Sequence, residues 1–196
     1  PQPEDADVII INSCGFILPA KEESIQAILE AVEHKKNKKN LKILVCGCLS
    51  ARYYTQLKKQ IPEVDAYFGT EDFSAILNYL NLPVKNDGHL YQDRLLTTKP
   101  HFAYLKISEG CNHKCAFCAI PLMRGRHRSR PLEELVREAE ILSQRGVKEI
   151  ILIAQDTTFY GLDLYKKQRL IDLLEKVEQL KDLEWIRIHY AYPTTF

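Results

Sequence analysis

Three cysteines with the spacing Cys-x3-Cys-x2-Cys are the feature that most limits what this chain can fold into. They are Cys111, Cys115 and Cys118, and they follow a predicted strand. Three thiolates can bind three irons of a cubic [4Fe-4S] cluster and leave the fourth iron open to a small molecule. The motif therefore predicts a metal-binding loop at the end of a strand.

Two other kinds of metal site are compatible with the same cysteines. A structural zinc needs a fourth Cys or His ligand, and His113 or His127 could supply it. A ferredoxin-type cluster needs a fourth cysteine, and none follows nearby. The spacing, together with the aromatic Phe117 directly before Cys118, favours the cluster with an open iron.

Composition limits the class of protein. The chain has 196 residues, enough for one or two domains, and its net charge of +1 gives no argument for a nucleic-acid-binding surface. Six cysteines outside a small secreted framework favour metal binding in a reducing cytoplasm over disulfides. Without an apolar run of membrane-spanning length or a signal-peptide pattern, we expect a cytoplasmic protein with no membrane partner. Because Met123 is the only methionine, we expect that Pro1 is not a translation start and that the N-terminus has been cut or belongs to a longer chain.

The first 80 residues alternate apolar runs with segments of helical periodicity. The predicted strands are 7–12 and 41–46, whose apolar runs indicate buried parallel strands, and 65–68. Helices are predicted to begin at Pro19, at Ser50 as a capping residue, and at Phe73. This βαβαβα order predicts a doubly wound parallel sheet with its ligand-binding loops at the carboxyl ends of the strands.

A second series of strands and helices follows a linker. Residues 81–101, which contain the turn signal Asn86-Asp-Gly88, interrupt the pattern. The predicted strands of the second series are 102–108, 149–155 and 185–190, and its helices are 131–145 and 170–180. We therefore expect a first domain over 1–80, a linker over 81–101 and a second domain over 102–196, with the second sheet unfinished.

Two further cysteines follow strands of the first domain. Cys14 comes after the first predicted strand and Cys48 after the second. A parallel sheet would place both at one edge, where two thiols can share a metal, although each is also explained as a small buried apolar residue. Cys46 falls inside the second strand and is expected in the core.

The chain resembles the radical S-adenosylmethionine (SAM) methylthiotransferase family along essentially its whole length. The resemblance rests on Ile107-Ser-Glu-Gly-Cys-Asn-His-Lys-Cys-Ala-Phe-Cys-Ala-Ile-Pro121, Asn12-Ser-Cys-Gly-Phe-Ile17 and Val45-Cys-Gly-Cys-Leu49. It implies an N-terminal doubly wound parallel sheet domain, incomplete at its start, followed by the first part of a partial (β/α)6 barrel.

The resemblance also implies the cofactors. Cys111, Cys115 and Cys118 would hold a [4Fe-4S] cluster whose open iron binds SAM. Cys14 and Cys48 would hold a second [4Fe-4S] cluster, which lacks one ligand in this chain because the family's first cysteine lies upstream. The Phe117 backbone would contact the adenine of SAM, or its ring would plug the space under the cluster loop.

Further contacts to SAM are implied at the end of the second barrel strand. Gln155 and Asp156 would face SAM there, or would instead cap the following loop. The arginines within 124–130 would pair with a carboxylate or form a solvated basic loop.

Two branches of the family differ in substrate. The segment Ala154-Gln-Asp-Thr-Thr-Phe-Tyr-Gly161, with 12–17 and Ala20-Lys-Glu-Glu-Ser24, resembles the branch that modifies the β-carbon of an aspartate in ribosomal protein twelve of the small subunit. The MiaB-like branch, which modifies tRNA adenosines, typically has Gln-Asn-Val at 155–157, so tRNA is the alternative substrate. A noncatalytic iron-sulfur or zinc-binding fragment is the other alternative.

The implied mechanism has two phases. SAM first methylates a sulfur associated with the N-terminal cluster, and a second SAM is then cleaved to a radical that abstracts hydrogen from the substrate carbon. The unactivated C–H bond explains the need for a radical cofactor. The resemblance further implies an electron donor such as flavodoxin or ferredoxin, and we expect this truncated chain to be inactive alone.

Overall fold

The computed structural model describes residues 2–84 and 94–193, which form a mixed α/β structure with parallel sheets. By their internal contacts these residues fall into two units. The first unit extends to Val84 and also includes Ala116–Arg124, and the second unit contains the other described residues. The predicted turn at 86–88 lies outside the described residues.

The first unit is built on a three-stranded parallel sheet with the strand order β1-β2-β3. A short 3-10 turn, Pro3–Asp5, precedes the sheet. The strands are β1 (Val8–Ser13), β2 (Lys42–Gly47) and β3 (Ala66–Tyr67). The helices are α1 (Leu18–Asn37), α2 (Cys48–Gln60), α3 (Phe73–Tyr79) and α4 (Ile120–Arg124).

Helices cover both faces of this sheet. On one face, Ile28 of α1 and Leu57 of α2 pack with Ile43 of β2, and on the other face Ile76 of α3 packs with Leu44 and Cys46 of β2. Successive residues of a strand point to opposite faces, so the apolar run of the central strand β2 is buried on both sides. The predicted fold of the first domain and the core position of Cys46 are confirmed.

Two local predictions in the first unit are wrong. The apolar run of β1 predicted a buried strand, but β1 lies at the edge of the sheet and Ile10 is 49% exposed. An apolar run does not distinguish a central strand from an edge strand. Ser50 was predicted to cap α2, but the helix begins at Cys48, and the buried Ser50 hydroxyl lies 3.4 Å from the carbonyl oxygen of Val45.

The second unit contains another three-stranded parallel sheet, with the order β4-β7-β8, and a small antiparallel ribbon of β5 and β6. The sheet strands are β4 (Phe102–Lys106), β7 (Glu149–Ile153) and β8 (Trp185–Ile188). The ribbon consists of β5 (Ser108–Glu109) and β6 (Arg128–Ser129). The helices are α5 (Leu132–Gln144), α6 (Leu162–Tyr165) and α7 (Leu170–Glu178).

The core of the second unit lies between its sheet and the helices α5 and α7. Leu135 of α5 and Leu173 of α7 are buried in one cluster with Leu105 of β4 and Ile150 of β7. Parallel strands and helices alternate along the second unit, as the sequence predicted. None of the helices within 2–84 and 94–193 combines the length and apolar content that a membrane crossing requires.

A buried ion group lies behind the ribbon of the second unit. The Glu138 side chain is 1% exposed, and its carboxylate oxygens lie 2.8 Å from Arg130 Nη1 and 3.2 Å from Arg94 Nη2. Arg130 also donates to the carbonyl oxygen of Lys106 at 2.9 Å. A buried carboxylate needs such partners because burial of an unpaired charge is costly. Arg130 therefore has a structural role and is not part of a solvated loop.

Candidate functional site

Cys14 and Cys48 leave the first sheet at the same edge. Ser13, the last residue of β1, is the parallel register partner of Gly47, the last residue of β2. Each cysteine directly follows one of these two residues. Cys14 is exposed, Cys48 is buried, and both are free thiols. The register of the sheet thus brings the two predicted ligand positions to one place.

Two glycines allow the backbone to approach closely at this edge. A Cβ on Gly15 would lie 2.8 Å from Leu49 Cα and 2.9 Å from the carbonyl oxygen of Cys48. Gly47 has a φ of +98°, and a Cβ there would lie 2.4 Å from the carbonyl oxygen of Ser13. Any larger residue at these two positions would force the loop after β1 away from the start of α2.

Hydrogen bonds tie the Cys14 loop to the neighbouring helices. The Cys14 N–H donates to the Ser24 hydroxyl at 2.9 Å, and that hydroxyl lies 2.8 Å from the carbonyl oxygen of Ala20. Arg52 Nη1 donates to the carbonyl oxygen of Gly15 at 3.4 Å. The Cys14 backbone is therefore fixed from α1, and the next peptide is contacted from α2.

The cysteines of the Cys-x3-Cys-x2-Cys motif lie on a loop without regular structure that follows β5. Cys111 and Cys118 are half-buried, Cys115 is exposed, and none of the three forms a disulfide. The Cys111 N–H donates to the carbonyl oxygen of Gly125 at 3.1 Å, and the His113 N–H donates to Cys111 Sγ at 3.4 Å. The start of the loop is thus held by its backbone.

His113 and Asp156 form a close pair beside Cys111. His113 Nε2 lies 2.6 Å from Asp156 Oδ2, and Asp156 is 2% exposed. Asp156 Oδ1 accepts the N–H of Thr158 at 2.9 Å and its hydroxyl at 2.6 Å. The ring centroid of His113 lies 5.0 Å from that of Phe159 and 4.5 Å from that of Tyr192. Asp156 therefore caps its own loop and also holds the cysteine loop.

A second histidine is buried behind this loop. The His127 N–H donates to Asn112 Oδ1 at 3.1 Å, and the His127 Nε2 atom lies 3.1 Å from the Ser129 hydroxyl. Burial lowers the pKa of His127, although the Asp163 carboxylate nearby acts in the opposite direction. His127 is therefore a buried side chain that supports the ribbon of β5 and β6.

The other predicted SAM-binding residues differ in their surroundings. The Phe117 side chain is 93% exposed, so the interpretation of its ring as a plug under the loop is wrong. Gln155 follows β7 and is half-buried, and its Oε1 atom is buried without a hydrogen-bond partner among the described residues. The buried hydroxyl of Thr157 is in the same situation. Such orphaned polar atoms fit a strand end that receives a ligand.

The residues fit an iron-sulfur cluster in the chemistry of their donors. Cys111, Cys115 and Cys118 offer three thiols that form no disulfide, and an N–H already donates to the sulfur of Cys111. Within 2–84 and 94–193, no group of three or more His, Cys, Asp or Glu side chains is gathered in a metal-binding arrangement. Cys46, whose pKa is raised by burial and by the nearby Asp72, belongs to the core and to neither thiol group.

Sequence reasoning missed the contact between His113 and Asp156. It considered His113 only as a zinc ligand and Asp156 as a contact to SAM or a cap of its own loop. The only available signal was that both follow strands of one parallel sheet, where the carboxyl ends meet. That signal predicts that both residues lie at the same edge of the sheet, but it does not predict that their side chains are in contact.

Comparisons with known proteins found a matching family model for each half of the chain. Residues 1–69 match the model of the uncharacterized protein family UPF0004, and residues 105–195 match that of the Radical SAM superfamily. A protein of Aquifex aeolicus named ribosomal protein uS12 methylthiotransferase RimO is 55% identical over 194 residues, 99% of this chain and 43% of the relative.

Proteins of the same name from two other bacteria are similarly close. The protein of Christiangramia forsetii is 54% identical over 193 residues, and that of Flavobacterium johnsoniae is 53% identical over 193 residues. These matches cover 98% of this chain in both cases and 42% and 44% of the respective relatives. The chain thus spans well under half the length of the curated relatives that it matches.

Proposed function

We propose that this chain belongs to the radical SAM methylthiotransferase family and is part of an enzyme that modifies ribosomal protein uS12. The reaction is the addition of a methylthio group to the β-carbon of an aspartate. The observation that carries the proposal is the 55% identity, over 99% of the chain, to a relative named for methylthio transfer to uS12. The motif Gln155-Asp-Thr157 supports the same branch over the tRNA-modifying one.

We assign the two halves of the chain to different tasks. Residues 1–80 form the N-terminal domain, residues 81–101 a linker and residues 102–196 the radical SAM core. The two separate three-stranded sheets support this division. Each sheet carries cysteines after its strands, so each half supplies its own set of ligands.

We assign Cys111, Cys115 and Cys118 to a [4Fe-4S] cluster that binds SAM. We assign Cys14 and Cys48 to a second [4Fe-4S] cluster. Three closely spaced thiols outside disulfides in the first case, and two thiols at one sheet edge in the second, support these assignments.

The cofactor supplies one-electron cleavage of SAM to a radical that can open an unactivated C–H bond. The chain's own residues bind and orient SAM and the substrate. We assign the backbone of Phe117 and the half-buried Gln155 to contact with SAM, and the orphaned Oε1 atom of Gln155, which is available as an acceptor, supports this assignment. Asp156 belongs to the same strand end, with its carboxylate bonded to Thr158 and His113.

Two partners complete the proposal. A flavodoxin or ferredoxin delivers the electron, and uS12 is the protein substrate. The cytoplasm is the location in which free thiols persist and in which a ribosomal substrate is available.

A deletion strain complemented with the full-length protein tests the proposal. Mass spectrometry of uS12 and of tRNA would be compared for the wild type, Cys115→Ala and the core control Cys46→Ala. The wild type and Cys46→Ala should restore the methylthio adduct on uS12, whereas Cys115→Ala should not. Restoration of a methylthio adduct on tRNA, with uS12 unmodified, would contradict the proposal and assign the enzyme to the MiaB-like branch.

A further inference from the structure

We propose that Asp156 is a positioning residue for the cysteine loop and acts on Cys111 through His113. The inference rests on the proposed function in one respect, which is that Cys111 is taken as a ligand of the cluster. It assigns Asp156 a task other than contact with SAM, and it gives His113 a task other than metal ligation.

The carboxylate of Asp156 is held in a fixed orientation. Its side chain is 2% exposed, and two hydrogen bonds from Thr158 fix Oδ1. The remaining oxygen, Oδ2, points at His113 Nε2 across 2.6 Å. A carboxylate held in this way has few rotamers left, so it can set the position of the group that it contacts.

His113 connects three strand ends of the second sheet. It belongs to the loop that follows β4 and β5, Asp156 and Phe159 follow β7, and Tyr192 follows β8. The rings of Phe159 and Tyr192 contact the imidazole, while Asp156 bonds to its Nε2 atom. The ring is therefore held by packing and by a hydrogen bond, and the backbone of residue 113 is fixed with it.

The backbone of His113 contacts the sulfur of Cys111. Its N–H donates to Cys111 Sγ at 3.4 Å. Hydrogen bonds to the sulfur ligands of an iron-sulfur cluster favour the reduced, more negative state and so raise the reduction potential. They also help to keep the ligand in place, and loss of such outer contacts typically weakens metal binding about 10–100-fold.

The arrangement makes a specific prediction about the two residues. If Asp156 acts through His113, removal of either side chain should loosen the same N–H contact to Cys111. The two changes should then not add to one another. If Asp156 instead contacted SAM directly, its removal would leave the cluster unchanged and would weaken SAM binding alone.

The experiment uses the full-length protein reconstituted anaerobically with iron and sulfide. The variants are Asp156→Ala, His113→Ala, their double mutant, the conservative Asp156→Asn, and His113→Phe, which keeps a ring between Phe159 and Tyr192. The control is His101→Phe, the same replacement at an exposed histidine of the second unit. The readouts are the rate of iron loss to a chelator and the reduction potential of the SAM-binding cluster.

We expect both alanine variants and His113→Phe to lose iron about 10-fold faster than the wild type and to show a lower potential. The double mutant should match the single variants. Asp156→Asn should retain most of the wild-type behaviour, since its amide can still bond to both neighbours, and the control should not change.

Wild-type rates and potentials in Asp156→Ala and His113→Phe would overturn the inference, as would additive effects in the double mutant. These outcomes leave the proposed function standing, because they presuppose a wild-type cluster. Failure of the wild type to assemble any iron-sulfur cluster would instead overturn the proposed function, and the inference with it.

Discussion

The two sheets present cysteines after their strands, but they hold those cysteines in different ways. At the first sheet, register pairing of Ser13 with Gly47 and the close approach at Gly15 fix the positions through the backbone. At the second sheet, the cysteines share one irregular loop. Backbone hydrogen bonds and the side-chain contact of His113 with Asp156 both hold the start of this loop.

The difference illustrates two ways in which a fold can bring metal ligands together. A parallel sheet can bring together residues that are distant in sequence, provided that the strands stay in register. A loop with closely spaced cysteines needs no register, but its backbone must be restrained from outside. The site at Cys14 and Cys48 should therefore be sensitive to side-chain volume added at its glycines. The motif loop should be sensitive to changes in the side chains that surround it.

The largest effect should come from removal of a motif cysteine. Cys115→Ala in the full-length protein should abolish the SAM-binding cluster and with it all activity, because three thiolates are needed to hold three irons. Iron analysis and the absorption spectrum after anaerobic reconstitution provide the measurement. Cys46→Ala, which changes a core thiol of the first unit, should leave the iron content unchanged. A complete cluster spectrum in Cys115→Ala would show that the motif is not the ligand set.

The next effect in size concerns the buried ion group of the second unit. Glu138→Ala should destabilise the protein by about 3–5 kcal/mol, since it leaves Arg130 largely buried without its carboxylate partner. Urea denaturation of the apoprotein measures the change. Glu140→Ala, at an exposed position of the same helix α5, is the control. Equal midpoints for the two variants would mean that the ion group does not stabilise the second unit.

A smaller effect is expected from added volume at the first site. Gly15→Ala would place a methyl group 2.8 Å from Leu49 Cα, so the backbone must shift, at a cost of about 1–3 kcal/mol. Iron bound by the N-terminal site should fall while the SAM-binding cluster remains. Gly146→Ala is the control for iron content, because a methyl there meets nothing within 4 Å and introduces only the backbone strain of a residue with a φ of +89°. Unchanged N-terminal iron in Gly15→Ala would argue against a site held by close backbone contact.

The smallest effect is a pH dependence confined to the second unit. Burial lowers the pKa of His127, so the folded protein resists protonation that the unfolded chain accepts below the ordinary value of 6.5. Stability should therefore fall as pH drops below 6.5 and level off below the folded-state pKa. Thermal denaturation of the apoprotein between pH 7.5 and about 5 would show a flatter profile in His127→Gln. Parallel profiles for the two proteins would exclude His127 as the source.

Much of the fold follows from the sequence because apolar periodicity reports burial. The strand predicted at 41–46 is observed as Lys42–Gly47, and the helix predicted over 131–145 as Leu132–Gln144. The exposed Ile10 and the displaced start of α2 were not predictable, because edge position and helix start depend on the assembled sheet. Local sequence patterns thus predict the strands and helices, but they do not predict which elements pack beside one another.

The candidate site was predictable only in part, for a similar reason. The motif cysteines are recognisable from spacing alone, and Cys14 and Cys48 from their positions after strands. The pair of His113 and Asp156 joins residues 43 positions apart, and its geometry depends on how two loops pack. No spacing rule encodes such a contact, whereas the alternation of strands and helices does encode the common edge.

The register that pairs Ser13 with Gly47 also limits which insertions and deletions evolution can accept in this half of the chain. One residue gained or lost inside β1 or β2 would turn the following side chains to the opposite face and separate Cys14 from Cys48. Changes of length between α1 and β2, at residues 38–41, leave the pairing intact. Relatives should therefore vary in length at such connections and keep a constant residue count within the two strands.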